Sequence, residues 1–472
     1  MDHHRVALFG VAALAAACSS GPADTSSSSS TASVSTGVLF EGAGLIPGDR
    51  SAPLEQAAFV VDGGMITRIG TVGQLDAPAG VARVELAGKT VMPALIGAHG
   101  HVGYQKGLSF TRENYTKENI YDDLSRAAYF GLGTVMTMGI DAGDLVYQIR
   151  AETAIGTAGV ARLRTAGSGI GGPNAGPGNT VYSRGVAYEV VTAEEGRAAV
   201  RELAPLKPDT VKIWLDERGG RGQKLSPETV RAIIDEAANL GSGVTAHVRG
   251  HQDAEVAVAG GAYGLSHLAR DREMDDALVS AIVERGVYVT PTLSMAERNN
   301  YAGAVPPWLE EPHLVGLLND TVTPEVVKGL YQSFVDREPA SAENARKNYA
   351  ILHNSVGKLN AVGARLVLGA DSGLPNHFWG FAEQRELELL VAAGLTPMQA
   401  IVAGTSRAAA YLNLANLGTL APGNIADFLV LDADPLDDIR NTRRISRLYV
   451  HGNEIDRPAL RVHLTGPGVS TN

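Results

Sequence analysis

His99-Gly100-His101, Lys212, His247, His267 and Asp371 supply six side chains able to bind metal or carry charge, each at or just beyond the end of a short apolar run. Two histidines one residue apart at an extended strand end emerge on the same side, and their imidazole nitrogens suit zinc and related divalent ions. A lone His-x-His is more often structural or superficial; the ordered candidates that follow it favour metal binding here. His247 closes Val244-Thr245-Ala246 and His267 closes Leu265-Ser266. Taken singly, each reads equally well as a hydrogen-bonded core or surface histidine. Lys212 lies in Asp209-Thr210-Val211-Lys212-Ile213-Trp214, where an unpaired ammonium is costly to bury. Its plain alternatives are snorkelling to solvent or pairing with Asp216 or Glu217. Asp371 follows Leu366-Val367-Leu368-Gly369-Ala370 and offers a carboxylate ligand, with a strand-end cap as its plain alternative. Together the six point to metal-dependent hydrolysis.

Side chains so far apart in sequence meet only if several strands aim them into one cavity, which a (β/α) barrel does at its C-terminal face. Strands are expected near Pro93 to Ala98, Gly133 to Thr137, Arg162 to Thr165, Thr210 to Leu215, Gly243 to Ala246, Gly264 to Ser266, Val287 to Thr290 and Ala364 to Leu368. Eight is the barrel number. Ser226 to Leu240 and Asp275 to Arg285 have helical length and apolar spacing, and Ser226 followed by Glu228 reads as a helix start. Leu387 to Gly394 and Pro397 to Ala410 also have helical spacing, with core-facing leucines and alanines. An insertion from Ser294 to Val362, with helices at Val326 to Arg337 and Ala342 to Leu359, would flank the active face as a lid or wall, or else pack as decoration.

Short β-prone runs at Val38 to Phe40, Ala57 to Val61, Met65 to Thr67 and Val81 to Leu86 recur near the other end at Ala426 to Leu431 and Ile445 to Val450. Asp62-Gly63-Gly64 and His451-Gly452-Asn453 read as turns. Neither end suffices for a core of its own, so one small β-sandwich built from both is expected. The fold class is α/β, a (β/α)8 TIM-like barrel plus that sandwich. The expected divisions are 1–18 signal segment, 19–36 linker, 37–90 sandwich, 91–414 barrel, 415–465 sandwich and 466–472 tail.

With 44% hydrophobic and 19% charged residues, the composition is globular. A net charge of −11 argues against nucleic acid, which demands a basic face. The start of the chain is weakly basic, then apolar from Val6 to Ala17, and Leu14-Ala15-Ala16-Ala17-Cys18-Ser19 resembles a bacterial lipobox. Cys18 is the one cysteine, which excludes an intrachain disulfide and marks it as a lipidation site, with ordinary signal cleavage as the alternative. The Ser/Thr/Pro/Gly-rich stretch from Ser19 to Ser35 reads as a spacer. An exported, extracytoplasmic, lipid-anchored protein acting on a small molecule is expected, with homo-oligomerisation left open.

Val91-Met92-Pro93-Ala94-Leu95-Ile96-Gly97-Ala98-His99-Gly100-His101 resembles the first-strand metal motif of the amidohydrolase superfamily, particularly its imidazolonepropionase-like and prolidase-like members. Pro397-Met398-Gln399-Ala400-Ile401 and Gly418-Thr419-Leu420-Ala421-Pro422-Gly423-Asn424-Ile425-Ala426-Asp427-Phe428 resemble its C-terminal signature. The resemblance spans about residues 37 to 455. It implies two divalent metal ions, zinc first, with His247 and His267 as ligands from strands five and six. It further implies that carbon dioxide converts Lys212 to a carbamate bridging both ions, and that Asp371 contacts one ion and shuttles the proton. The physical division is clear: Lewis acids activate water and polarise the carbonyl, and the carboxylate moves the proton.

Tyr104, Arg249, Arg270 and His377 stand near ligand positions and are candidates for substrate binding; phenol packing, ion pairing and loop orientation are their structural alternatives. Gly97 departs from the family, which often has Asp there, so a carboxylate supporting the histidines is missing. Gly167-Ser168-Gly169-Ile170-Gly171-Gly172-Pro173 lacks the Gly-Lys-Ser/Thr ending of a phosphate loop and reads as a loop between elements. The expected reaction is hydrolysis of a carbon–nitrogen bond in a dipeptide, N-acyl amino acid or cyclic amide. Lactone or ester hydrolysis is its chemical neighbour, and a catalytically inactive ligand-binding lipoprotein is the competing class.

Overall fold

A computed structural model describes residues 37–75, 80–176, 180, 182–298, 309, 323–336 and 339–465. Cys18 and the expected signal segment and linker, the centre of the insertion, and the tail lie outside the described residues.

Eight strands recur in the middle of the chain: β1 (Leu95–Gly100), β2 (Leu132–Thr137), β3 (Arg162–Thr165), β4 (Val211–Trp214), β5 (Val244–His247), β6 (Gly264–Ser266), β7 (Tyr288–Thr290) and β8 (Arg365–Leu366). They lie in two sheets in sequential order, β1 to β3 in one and β4 to β8 in the other, and their mutual pairings are parallel. β1, β2 and β4 are buried along their whole length, as parallel strands covered by helices must be. Helix starts follow local chemistry. Ser226 caps Pro227–Asn239 by accepting from the Thr229 amide (3.0 Å), and Asp275 caps Asp276–Glu284 by accepting from Leu278 (2.9 Å).

Backbone bonds also run between the two sheets. Beyond β8, the Asp371 amide donates to the His99 carbonyl (3.0 Å), and the His101 amide donates to that of Ser372 (2.7 Å). Beyond β3, the Asp209 amide donates to Thr165 (2.8 Å), and the short strand Ile170–Gly171 pairs with β4.

The single helix expected from Pro397 to Ala410 is two, Pro397–Ala403 and Ser406–Tyr411. The break has a structural use. The Leu368 amide donates to the Ala403 carbonyl (3.0 Å) and the Ile96 amide to Gly404 (2.8 Å), so the interrupted helix serves both strands flanking the gap. A side chain at Gly404 would lie 2.8 Å from Leu368 Cδ2. In the insertion, helices occupy Pro324–Val335 and Pro339–Ala361.

The chain ends share one eight-stranded sheet. Val38–Leu45 turns at Gly42 (φ 94°), so its first half pairs with Ala82–Glu85 and its last residues with Thr90 and Val91. Phe428–Leu431, from the far end of the chain, pairs antiparallel with Thr90–Pro93. Phe40 stacks on Phe59 at 5.0 Å, Phe428 stacks on Tyr449 at 4.4 Å, and the two pairs meet edge to face.

Asp427, from the C-terminal signature, grips Arg162 at the start of β3. The guanidinium forks onto both carboxylate oxygens, and Asp427 Oδ1 also accepts from the His451 amide (2.8 Å). Both residues are buried. Asp427→Ala would strand Arg162 in the interior, and urea denaturation should register a loss of about 3–5 kcal/mol. A loss below about 1 kcal/mol would show that solvent reaches the guanidinium.

Candidate active site

The parallel strands end around a cavity of about 350 Å³ lined by His99, His101, Lys212, His247, His267 and Asp371. Five of the six stand at or beyond strand ends, and Lys212 lies within β4. His99 lies in β1 with His101 just past it, and His247 closes β5. His267 and Asp371 follow β6 and β8 in left-handed conformations (φ 68° and 63°), as does Thr292 after β7 (φ 53°). Non-glycine residues hold that conformation at a cost of about 1–3 kcal/mol, so the surrounding bonds must fix it.

The rings are oriented from behind. His99 Nδ1 lies 3.0 Å from the Ser266 hydroxyl, and His267 Nδ1 lies 2.6 Å from that of Thr292. Their Nε2 atoms face Asp371, 3.3 Å from Oδ1 for His99 and 3.9 Å from Oδ2 for His267; His101 Nε2 is 3.0 Å from Oδ1. His247 stacks edge to face on His267 at 4.6 Å and reaches Asp216 at 3.7 Å.

Burial sets the charges. It brings His99 down to about 3, with Lys212 adding to the effect, and His247 to about 4 against the pull of Asp216; His267 falls well below its usual value. These rings are therefore neutral near pH 7, the state a metal ligand requires. Burial opposes the charge on Asp371, but His101, His267 and His99 together outweigh it and hold the carboxyl well below its ordinary range. Burial lowers Lys212 to about 7, which Asp371 only partly resists.

Lys212 is 1% exposed, and its Nζ has no hydrogen-bond partner among the described residues. The pairings considered for it are taken: Asp216 faces His247 and Arg218, while Glu217 binds Lys224 at 2.8 Å. His101 Nδ1 is likewise partnerless. One ligand atom from each of His99, His267 and Asp371 lies within 4.8 Å of the others. Nitrogen and carboxylate donors with buried, unsatisfied atoms among them fit divalent metal ions.

Arg249 and Arg270 line the cavity, whereas Tyr104 and His377 do not. Tyr104 donates to the Ile140 carbonyl (2.5 Å) inside an aromatic cluster with Tyr115 and Tyr182, so its phenol packs. His377 Nε2 meets the Ala370 carbonyl at 2.9 Å and supports the backbone just before Asp371. Sequence reasoning missed Tyr182, Asp216, Arg218 and Arg298, all on the lining. Asp216, two residues past β4, stood where a strand-end signal could have found it; the others lie on loops without one.

Residues 90–455 match the amidohydrolase family, and the chain belongs to that family. Ochratoxinase of Aspergillus niger is 25% identical over 446 residues, covering 84% of this chain and 81% of that protein. Among solved structures, a Xaa-Pro dipeptidase with methionine bound in its active site superposes with a TM-score of 0.70 at 22% identity, covering 89% of this chain and 99% of its own. Molinate hydrolase superposes at 0.73 with 20% identity, covering 92% and 98%. Family and relatives support an enzyme that hydrolyses amide-type bonds.

A partnerless amine in the interior is costly unless it has a use. In chelator-treated protein, Lys212→Met should raise stability by about 1–3 kcal/mol in urea denaturation. A less stable variant would show that the amine has a stabilising partner in solution.

Proposed function

We propose that this protein hydrolyses the amide bond of an N-acyl amino acid or dipeptide carrying a free carboxylate, in a binuclear metal site. The carrying observation is that the cavity holding the six donors is also walled by Arg218, Arg249, Arg270 and Arg298, opposed only by Asp216 and Asp371. Arg270 is drawn down to about 10 by burial and by Arg249 beside it, and its Nε lacks a hydrogen-bond partner among the described residues. Such a wall favours an anion that relieves the mutual repulsion. Ile140, Tyr182, Trp214, Met295 and Leu374 line the same cavity and suit an apolar acyl group. A (β/α)8 barrel closed by the backbone bonds between β8 and β1 and between β3 and β4 is the architecture that fits this convergence.

His99, His101, Lys212, His247, His267 and Asp371 would hold the ions, which supply Lewis acidity to water and to the scissile carbonyl. Carboxylation requires a neutral lysine amine, and burial of Lys212 favours that form near pH 7. Asp371, held ionised, accepts the proton of the attacking water on a carboxylate oxygen and delivers it to the leaving nitrogen as the carbon–nitrogen bond breaks. The arginines fix the carboxylate of the leaving amino acid. The orienting hydroxyls of Ser266 and Thr292 keep the rings of His99 and His267 in place during turnover.

Purified protein should release product from a panel of N-acyl amino acids and dipeptides, lose activity on chelation and regain it with zinc. Asp371→Asn should retain little turnover. Arg249→Ala and Arg270→Ala should each lower kcat/KM about ten- to hundredfold on carboxylated substrates, the loss of a charge-assisted hydrogen bond. They should act far less on the corresponding methyl esters. Turnover confined to lactones or esters would move the reaction class, and metal occupancy without any turnover would favour a binding protein.

We also propose export and lipid anchoring at Cys18, supported by the apolar run and small residues before it. In a bacterial host, Cys18→Ser should shift the protein out of the membrane fraction. Equal membrane association of parent and variant would refute the anchor.

A further inference from the structure

Helix Phe381–Ala392 begins on a buried carboxylate that faces two ways. One oxygen of Glu383 accepts from the Gly380 amide (2.6 Å), an ordinary bond at a helix start, and the other accepts from the Ser372 hydroxyl at 2.6 Å. Ser372 directly follows Asp371, and its own carbonyl accepts from the His101 amide (2.7 Å). The Ser372–Glu383 bond therefore braces the point where the strand-8 end, in its left-handed turn, is tied to the strand-1 end. Gly97 lies nearby in β1, without a positive φ and next to an irregularity in the pairing with β2. A Cβ built there would sit 2.9 Å from Leu132 Cδ2, 3.4 Å from Glu383 Cγ and 3.5 Å from Glu383 Oε1. The tight neighbour is the Leu132 side chain, while Glu383 lies at ordinary contact distance.

We propose that Glu383 is a positioning residue for the metal site: through Ser372 it holds the backbone bearing Asp371 against His99 and His101. The proposal rests on the reading that those side chains bind metal. Helix capping alone would explain the bond to Gly380 but not the bond to Ser372.

The experiment measures zinc affinity of the full chain by competition with a chromophoric chelator, for the parent, Ser372→Ala, Glu383→Ala and the double variant. Circular dichroism checks each fold, and thermal midpoints of the zinc-free proteins separate stability from metal binding. Ser372→Ala keeps the helix cap and breaks only the bridge. It should weaken zinc binding about ten- to hundredfold, as loss of a group that orients a ligand does. The double variant should bind no more weakly than Glu383→Ala, because both substitutions cut one connection. A parent that binds zinc with Ser372→Ala within twofold of it overturns this proposal and leaves the metal reading standing; a parent that binds none overturns both. If Glu383→Ala does not fold, Ser372→Ala alone decides.

Discussion

The structure is organised around the cost of gathering basic side chains and one carboxylate where water is scarce. Four imidazoles and an amine share the cavity with Asp371, and each would be better solvated elsewhere. Burial resolves this by stripping protons. His99, His247 and His267 become neutral, Lys212 moves toward neutrality, and the charge that remains on Asp371 is held by the rings facing it. A site discharged in this way is a set of free lone pairs around an anion, the electrostatic condition for binding cations. Arg218, Arg249, Arg270 and Arg298 stand on the same lining. The cavity thus sets one carboxylate among neutral donors beside a group of guanidinium side chains.

Holding this arrangement falls to backbone turns and hydroxyls. His267, Thr292 and Asp371 end successive strands in left-handed turns. Each turn is unfavourable alone, and each is bound to a neighbour: His267 to the Thr292 hydroxyl, Asp371 to the His99 carbonyl. Ser266, one residue before His267, fixes His99 on a different sheet. The ligands therefore orient one another across strands, which explains why isolated strand ends could not form the site. Far below, the Arg162–Asp427 pair joins the parallel strands to the sheet made from the chain ends, so the C-terminal signature acts at a distance from the chemistry.

The sequence made the six cavity donors legible because five stand at or just beyond the end of an apolar run and Lys212 is a cation inside one, and strand-end histidines have few other consistent explanations when they recur in order. The parallel strands were readable because burial on both faces leaves short apolar runs, and the strands of the shared end sheet because β-prone runs there are punctuated by glycine turns. What was not readable depends on direction. Tyr104 and His377 lie near ligands in sequence but turn to the Ile140 and Ala370 carbonyls, while Arg218 and Arg298 turn inward from loops with no periodic signal. The break at Gly404 was invisible because its cause is two unpaired amides on strands hundreds of residues upstream and some thirty-five upstream. Gly97 read as a missing carboxylate, yet the space above it holds Glu383, which spacing alone could never place there.

One helix connects the two loops that differ most in task. On Phe381–Ala392, Glu383 faces the Asp371 loop through Ser372, while Glu386 accepts from the amides of Leu293 (2.8 Å) and Ser294 (2.7 Å) at the start of the strand-7 loop. Between them Arg385 pairs with Glu297 at 2.7 Å, next to Arg298, whose guanidinium donates to the Pro375 carbonyl (2.8 Å) and lines the cavity. Burial pushes both Glu383 and Glu386 up to about 7, so these carboxyls are kept in place by the hydrogen bonds they accept, against the pull of desolvation. A displacement of this helix would move the ionised Asp371 carboxylate and the cavity-lining Arg298 together. The loops bearing Asp371 and Arg298 are consequently both anchored to this one helix.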